Sequence, residues 1–211
     1  TKNRQFDREP AVLYNLVGPL GIPIDAVNVI FSSPKRPVSG REGCWLGHQR
    51  AVQHALSRGY KRMLLFEDDV EPIRSIFTPT ALQDVVGLLQ DIDRKYEQTL
   101  DSPSARDESS SDLEERETRP WDLHFFATMP VFCDVDDDLN FNFESNGSRP
   151  HKMRSLTTSA YAMNRHVMER LAQEPYKGAS IDFGFFFRYY DEVYGSYPAL
   201  MFQRPGISSA T

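Results

Sequence analysis

The run Met63-Leu64-Leu65-Phe66 ends directly in Glu67-Asp68-Asp69 and is bracketed by Gly59 and Pro72. Four apolar residues between such punctuation read as a short buried strand. Alternation along a strand turns Glu67 and Asp69 to one side and Asp68 to the other. Three like charges at a strand end repel one another and lose hydration. They are tolerated where a divalent cation or a ring of backbone donors neutralises them. In open α/β sheets, ligands collect at the C-terminal edge of the strands. Mg²⁺ and Mn²⁺ take oxygen ligands and share their shell with a substrate's phosphates. The stretch therefore points to a hard-cation site, with a solvated acidic loop as the bland alternative.

A chain of 211 residues suffices for one substantial domain. A net charge of −6 and a pI near 5.4 exclude a general nucleic-acid binder, because no basic face dominates. Nothing approaches the length of a transmembrane span. The opening Thr1-Lys2-Asn3-Arg4 lacks an initiator Met, so the expectation is a trimmed chain whose membrane attachment, if it has one, lies in a segment outside it. Two cysteines, Cys44 and Cys133, are compatible with one disulfide or none.

Along the chain, Pro10 and the apolar stretch Val12 to Leu20 read as a helix ended by Gly18 to Pro23, and Ala26 to Phe31 as a strand. From Arg41 to Gly59 the apolar residues Cys44, Trp45, Val52, Ala55 and Leu56, with His48, recur at helical spacing, and Gly59 is a C-terminal cap. Ala81 to Leu89 is helical again, with a continuation towards Leu100. Residues 102–119 are Ser-, Asp-, Glu- and Arg-rich and read as a mobile insertion within one domain spanning 1–211. Strands come next at Asp122 to Thr128, Leu156 to Met163 and Tyr197 to Gln203. Asn164 caps a helix through Leu171, and a helix starts at Asp182. Asp134 to Asp138 is a solvated acidic turn, and Asn146-Gly147-Ser148 is a glycosylation sequon. Strands alternating with helices predict an α/β fold with a mainly parallel sheet.

Gly43-Cys44-Trp45-Leu46-Gly47-His48, a helix, and Leu65-Phe66-Glu67-Asp68-Asp69 together resemble family 25 of the glycosyltransferases, which includes lipooligosaccharide and procollagen galactosyltransferases. Three later elements are also similar: Ser159-Ala160-Tyr161-Ala162-Met163, Ile181-Asp182, and Pro198 to Gln203 with Pro205-Gly206-Ile207-Ser208 after it. The likeness covers roughly residues 4–208. Gly47 replaces the family's usual Ser, Ser209 and Ala210 stand where an Asp is common, and the strand expected before Arg4 lies outside the sequence.

The resemblance implies a GT-A-like (Rossmann-like) single domain, its mainly parallel sheet flanked by helices. It implies an inverting transfer of a sugar, galactose by family, from a UDP-sugar donor to an acceptor hydroxyl of a glycan, glycoprotein or glycolipid. A Mn²⁺ or Mg²⁺ ion would offset charge on the departing UDP, and a carboxylate base would take the acceptor proton. On this reading Asp69 holds the metal with Glu67 in support, Asp68 lies near the ribose or the metal, and Asp182 is the base, its plain alternative being a helix cap. His48 orients a phosphate or a carboxylate, or is a satisfied core residue. Arg4 and Arg8 bind the donor phosphates or are surface charge. Gln203 hydrogen-bonds within the donor site or the core. Trp45 and the aromatics from Phe183 to Tyr190 offer a sugar-stacking face or pack in the core. Cys44 reads as structural, with no evident base to activate it. The insertion and the sequon point to the secretory pathway, with the cytoplasm as the alternative. The rival readings are a non-catalytic sugar- or partner-binding domain on a decayed transferase scaffold, and a metal hydrolase. The hydrolase is disfavoured because its aspartate would end the first strand.

Overall fold

The computed structural model describes residues 39–73, 121–127, 130–133, 149–190, 193–197 and 199–203, together with the single residues 18, 28, 83, 87, 90 and 94. Arg4, Arg8, the insertion at 102–119, the turn at 134–138 and the sequon lie outside them. So do nearly all of the expected N-terminal helix, the Ala26–Phe31 strand and the helix from Ala81. Within that last stretch Gln83, Gly87, Gln90 and Arg94 each have helical backbone.

Helix α1 spans Gly40–Ser57. Ser39 caps it by accepting from the Glu42 N–H at 3.1 Å. At the other end Gly59 takes φ +74, and the Gly59 and Tyr60 N–H groups bond Leu56 O at 2.9 Å and Ala55 O at 3.1 Å. This paired closure satisfies carbonyls that the helix leaves free, and it needs a residue at home in the left-handed region.

The strands are β1 (Arg62–Phe66), β2 (Val70–Pro72), β3 (Leu123–Phe125), β4 (Pro130–Cys133), β5 (Arg149–Ser155), β6 (Ala160–Asn164), β7 (Val193–Tyr197) and β8 (Met201–Gln203). Helix α2 is Arg165–Gln173, a π-helical turn covers Asp182–Phe186, and the short α3 is Phe187–Tyr189. The main sheet has the order β1-β6-β3-β7-β5-β4, and β2 and β8 form a separate pair. Only β3 and β7 run parallel; every other described strand pairing is antiparallel. The protein is thus α/β, but its sheet is mixed rather than mainly parallel. Helix–strand alternation does not fix strand direction: β6 enters between β1 and β3 against both, and β5 runs against β7.

Two strands, β5 and β7, have no clear signal in the residues. Arg149–Ser155 carries the cations Arg149, Lys152 and Arg154 instead of an apolar run, and Val193–Tyr197 holds Gly195 in its interior, where glycine counts against a strand. The predicted last strand, Tyr197 to Gln203, divides between the end of β7 and β8, with Pro198 between them. The predicted Leu156–Met163 strand begins only at Ala160.

One face of the sheet carries the core. Met63 and Leu65 of β1 face inward beside Leu123, Phe125, Tyr161, Met163 and Val193, while Leu64 points outward and is 38% exposed. Helices α1 and α2 and the π-helical turn cover that face through Trp45, Val52, Val167, Met168, Leu171, Phe185 and Phe186. Gln49 and Gln53 of α1 donate to the Leu171, Ala172 and Glu174 carbonyls, which satisfies the open C-terminal end of α2. Asn164 does precede α2, yet its side chain donates to Trp121 O at 2.6 Å instead of capping the helix. No helix among the described residues is long and apolar enough to cross a membrane.

Candidate functional site

Two antiparallel pairings build the site at the C-terminal end of β1. Phe66 pairs with Ala160, so Glu67 emerges beside Ser159, whose carbonyl accepts the Glu67 N–H at 2.7 Å. Val70 pairs with Gln203, so Asp69 emerges beside β8. Between them the Val70 N–H bonds Glu67 O at 3.3 Å, a tight turn with Asp68 and Asp69 at its corner. The strand alternation expected to run on through the acids therefore stops at Phe66. Glu67 turns towards α1 and β6, whereas Asp69 turns towards β8.

Glu67 lies in a half-buried polar cluster. Its Oε1 is 2.9 Å from His48 Nε2 and 3.5 Å from Cys44 Sγ, and its Oε2 accepts from Ser159 Oγ at 3.5 Å. Cys44 and His48 stand one helical turn apart on α1 and so present to the same place. The other His48 nitrogen, Nδ1, is 2.5 Å from the Tyr161 hydroxyl, with the two rings within 5° of parallel. A carboxylate only accepts, so His48 Nε2 carries the hydrogen it shares with Glu67. Burial alone would pull the His48 pKa down, but Tyr161, Cys44 and Glu67 outweigh it and hold the imidazole well above its ordinary value. Burial alone would raise Glu67, yet His48, Cys44 and Ser159 bring it below the usual carboxylate value. Burial pushes the Tyr161 hydroxyl up to about 12, against the pull of His48. The pair is an imidazolium–carboxylate unit whose His48 end is buried and whose Glu67 end is partly open to solvent.

Asp69 is 4% exposed. Its Oδ2 accepts from Gln203 Nε2 at 3.0 Å, while its Oδ1 is buried with no hydrogen-bond partner. Burial raises its pKa, and Glu67 and Asp68 add to the rise while the Gln203 bond opposes it. A buried carboxylate oxygen without a donor is costly, and it suits a cation that such an oxygen could ligate.

Asp182 opens the π-helical turn, and its Oδ1 accepts the Phe183 N–H at 2.8 Å. No described contact joins it to the Glu67 or Asp69 groups. Trp45 is 2% exposed and donates to Glu174 O at 3.3 Å, so it packs in the core and offers no sugar-stacking face. Phe185 and Phe186 are buried too, but Phe183 is 56% exposed and lies parallel to Phe187 at 5.2 Å. The structure therefore gathers His48, Glu67, Asp69 and Gln203 at one strand end, with Asp68 in the same turn. Cys44, Ser159 and Tyr161 belong there as well. No base for Cys44 is evident along the chain, because Glu67 reaches it only once α1 lies over β1. Helical spacing of Cys44 and His48 was the one signal that could have linked them.

No protein-family model matches the chain, and no curated protein matches it either. The class that the fold and site define is an α/β protein with a mixed sheet and an acidic strand end built against a Cys–His–Tyr helix–strand contact.

Proposed function

We propose that the protein is a metal-assisted, UDP-sugar-dependent glycosyltransferase of the family-25 kind, inverting at the anomeric carbon, with galactose as the sugar the resemblance implies and a GT-A-like fold. The observation that carries this reading is convergence: Cys44 and His48, the Glu67-Asp68-Asp69 run, Ser159 and Tyr161, and Gln203 come from four separate motif-like stretches and meet at one end of β1. Asp69 Oδ1, unpartnered and buried, fits a divalent cation, which would supply Lewis-acid relief for the charge on UDP. Asp69 and Asp68 would hold it, Gln203 fixes the Asp69 rotamer, and the inward Glu67 braces the turn from beneath. Asp182 would take the proton of the acceptor hydroxyl as the new glycosidic bond forms and the bond to UDP breaks, its electron pair leaving with UDP. Acceptors of the glycan, glycoprotein or glycolipid class suit this chemistry, and the sequon at Asn146 favours the secretory pathway over the cytoplasm.

A second reading, a non-catalytic sugar- or partner-binding domain on the same scaffold, draws on Glu67, whose two oxygens are both engaged inside the protein. Calorimetric titration of UDP and UDP-galactose, with and without Mn²⁺, separates the two. Mn²⁺-dependent UDP binding that Asp69→Ala abolishes supports the transferase. Sugar binding without nucleotide or metal dependence selects the second reading, and no nucleotide binding in a chain extended at its N-terminus overturns the first.

A further inference from the structure

The Cys44–His48–Glu67 cluster has a property that an acidic strand end lacks: its three donor atoms are a sulfur, an imidazole nitrogen and a carboxylate oxygen. These atoms all lie within 4.8 Å of one another. A tetrahedral ion with Zn–S about 2.3 Å and Zn–N about 2.0 Å sets such atoms about 3.3 to 3.6 Å apart. The sulfur–carboxylate distance is already 3.5 Å, and the imidazole–carboxylate distance of 2.9 Å needs only to open slightly. We propose that Cys44, His48 and Glu67 bind a zinc-class transition-metal ion, at a site distinct from the hard-cation position at Asp69.

Three features beyond the donor set point there. Metal-bound histidines hand their second ring hydrogen to a fixed acceptor, which sets the tautomer and the ring plane. Tyr161 stands 2.5 Å from His48 Nδ1 with its ring almost parallel, in position for that role. Ligating carboxylates are themselves hydrogen-bonded, and Ser159 donates to Glu67 Oε2, the oxygen that the cluster leaves free. Cys44 and His48 share one face of a capped helix, so the two ligands arrive rigid and registered. The set of soft sulfur with imidazole favours Zn²⁺ over Mg²⁺ or Mn²⁺, which separates it from Asp69.

Binding balances in protons. The ion takes the place of the Cys44 thiol hydrogen and of the hydrogen between His48 Nε2 and Glu67 Oε1. Both leave to solvent, and the neutral imidazole keeps a hydrogen on Nδ1 directed at the Tyr161 oxygen. Three protein ligands leave a fourth tetrahedral position for water, and the Glu67 side chain is 23% exposed, so solvent reaches the cluster. The site needs neither nucleotide nor sugar, and it stands independently of the transferase reading.

The test is Co²⁺ titration of the chelator-treated full chain, monitored by absorption, with Zn²⁺ as competitor. The expected result is a thiolate-to-cobalt charge-transfer band that Zn²⁺ displaces. The band persists in Cys133→Ser and Asp69→Asn and is lost in Cys44→Ser and His48→Gln, each with a far-ultraviolet circular dichroism spectrum matching the parent. Tyr161→Phe should weaken Zn²⁺ binding about 10- to 100-fold, the usual cost of removing a ligand's outer partner. The absence of a band in the folded parent chain overturns the proposal without use of any variant. A band that survives Cys44→Ser overturns it equally. Loss of Mn²⁺-dependent UDP binding in Asp69→Asn with the cobalt band intact would keep the two sites, and the two readings, apart.

Discussion

His48 and Glu67 meet at 2.9 Å from opposite sides of the helix–sheet contact, 19 residues apart in sequence. Their pKa values move in opposite directions on folding, and the consequence is a defined pH window. Glu67 is lowered, so its share of stability is present above the ordinary value of 4.5 and is lost as pH falls below it. His48 is raised, so its share is complete below the ordinary value of 6.5 and is lost as pH climbs through the elevated folded value. In metal-free protein, Glu67→Gln should therefore cost most between pH 4.5 and 6.5, by about 1 to 3 kcal/mol for a buried charge-assisted bond. Paired thermal melts of parent and variant in chelator read this directly. A difference that stays constant from acid to alkaline pH would show that the two groups are not paired in solution.

Tyr161→Phe removes one hydroxyl and leaves His48 Nδ1, 2.5 Å from it, facing a hydrocarbon edge. The ring itself still fills its place against Phe125 and Phe186. The loss should accordingly be that of one buried hydrogen bond, about 1 to 3 kcal/mol, with native near-ultraviolet circular dichroism. On a domain of this size that lowers Tm by about 2 to 4 °C per kcal/mol. A neutral outcome would mean that water replaces the hydroxyl and that the contact is not sealed.

Asp69 carries the opposite sign. Its raised pKa means that the ionised form is disfavoured by folding, so at neutral pH it subtracts from stability. Asp69→Asn should raise Tm by a few degrees, equivalent to about 1 kcal/mol at about 2 to 4 °C each, while weakening divalent-cation binding. The Gln203 contact at 3.0 Å can persist, because the Asn side-chain carbonyl also accepts. Stability surrendered at one carboxylate is the usual mark of a site held ready for a ligand. A Tm that falls in Asp69→Asn would instead assign the carboxylate to packing.

Much of this was legible in the residues. The helix from Gly40 to Ser57, its glycine closure and the strand before the acids all arise from periodicity and punctuation, which are local properties. The partners of Glu67 and His48 were not legible, because Ser159 reaches Glu67 and Tyr161 reaches His48 only through the register of β1 with β6. Strand direction was not legible either. The same alternating elements fit a parallel sheet as well as the mixed one observed, and only pairing decides. Gln203 was singled out as a site residue, yet its partner Asp69 could be named only once β2 paired with β8. Of the two roles open to Trp45, core packing is the one observed: its helical spacing already turned it inward, and it is 2% exposed.

Two glycines separate backbone need from packing need. Gly59 closes α1 at φ +74, and a Cβ there would meet nothing within 4 Å. Gly59→Ala should thus cost only the left-handed penalty, about 1 to 2 kcal/mol, and leave the core unchanged. Gly184 sits in the π-helical turn, where a Cβ would come 2.8 Å from Ala179 Cβ and 3.5 Å from the Trp45 ring. The Ala179 atom is tied to backbone and cannot swing aside, so the turn itself must move, at about 1 to 3 kcal/mol. The two variants are therefore expected to melt at similar temperatures yet differ in tryptophan emission, which Gly184→Ala shifts through Trp45 and Gly59→Ala does not. Because Asp182 lies two residues before Gly184, the same variant should also lower any turnover that depends on that carboxylate, and Gly59→Ala should spare it. Matching emission spectra in the two variants would mean that Gly184 is not there to let the turn approach Trp45.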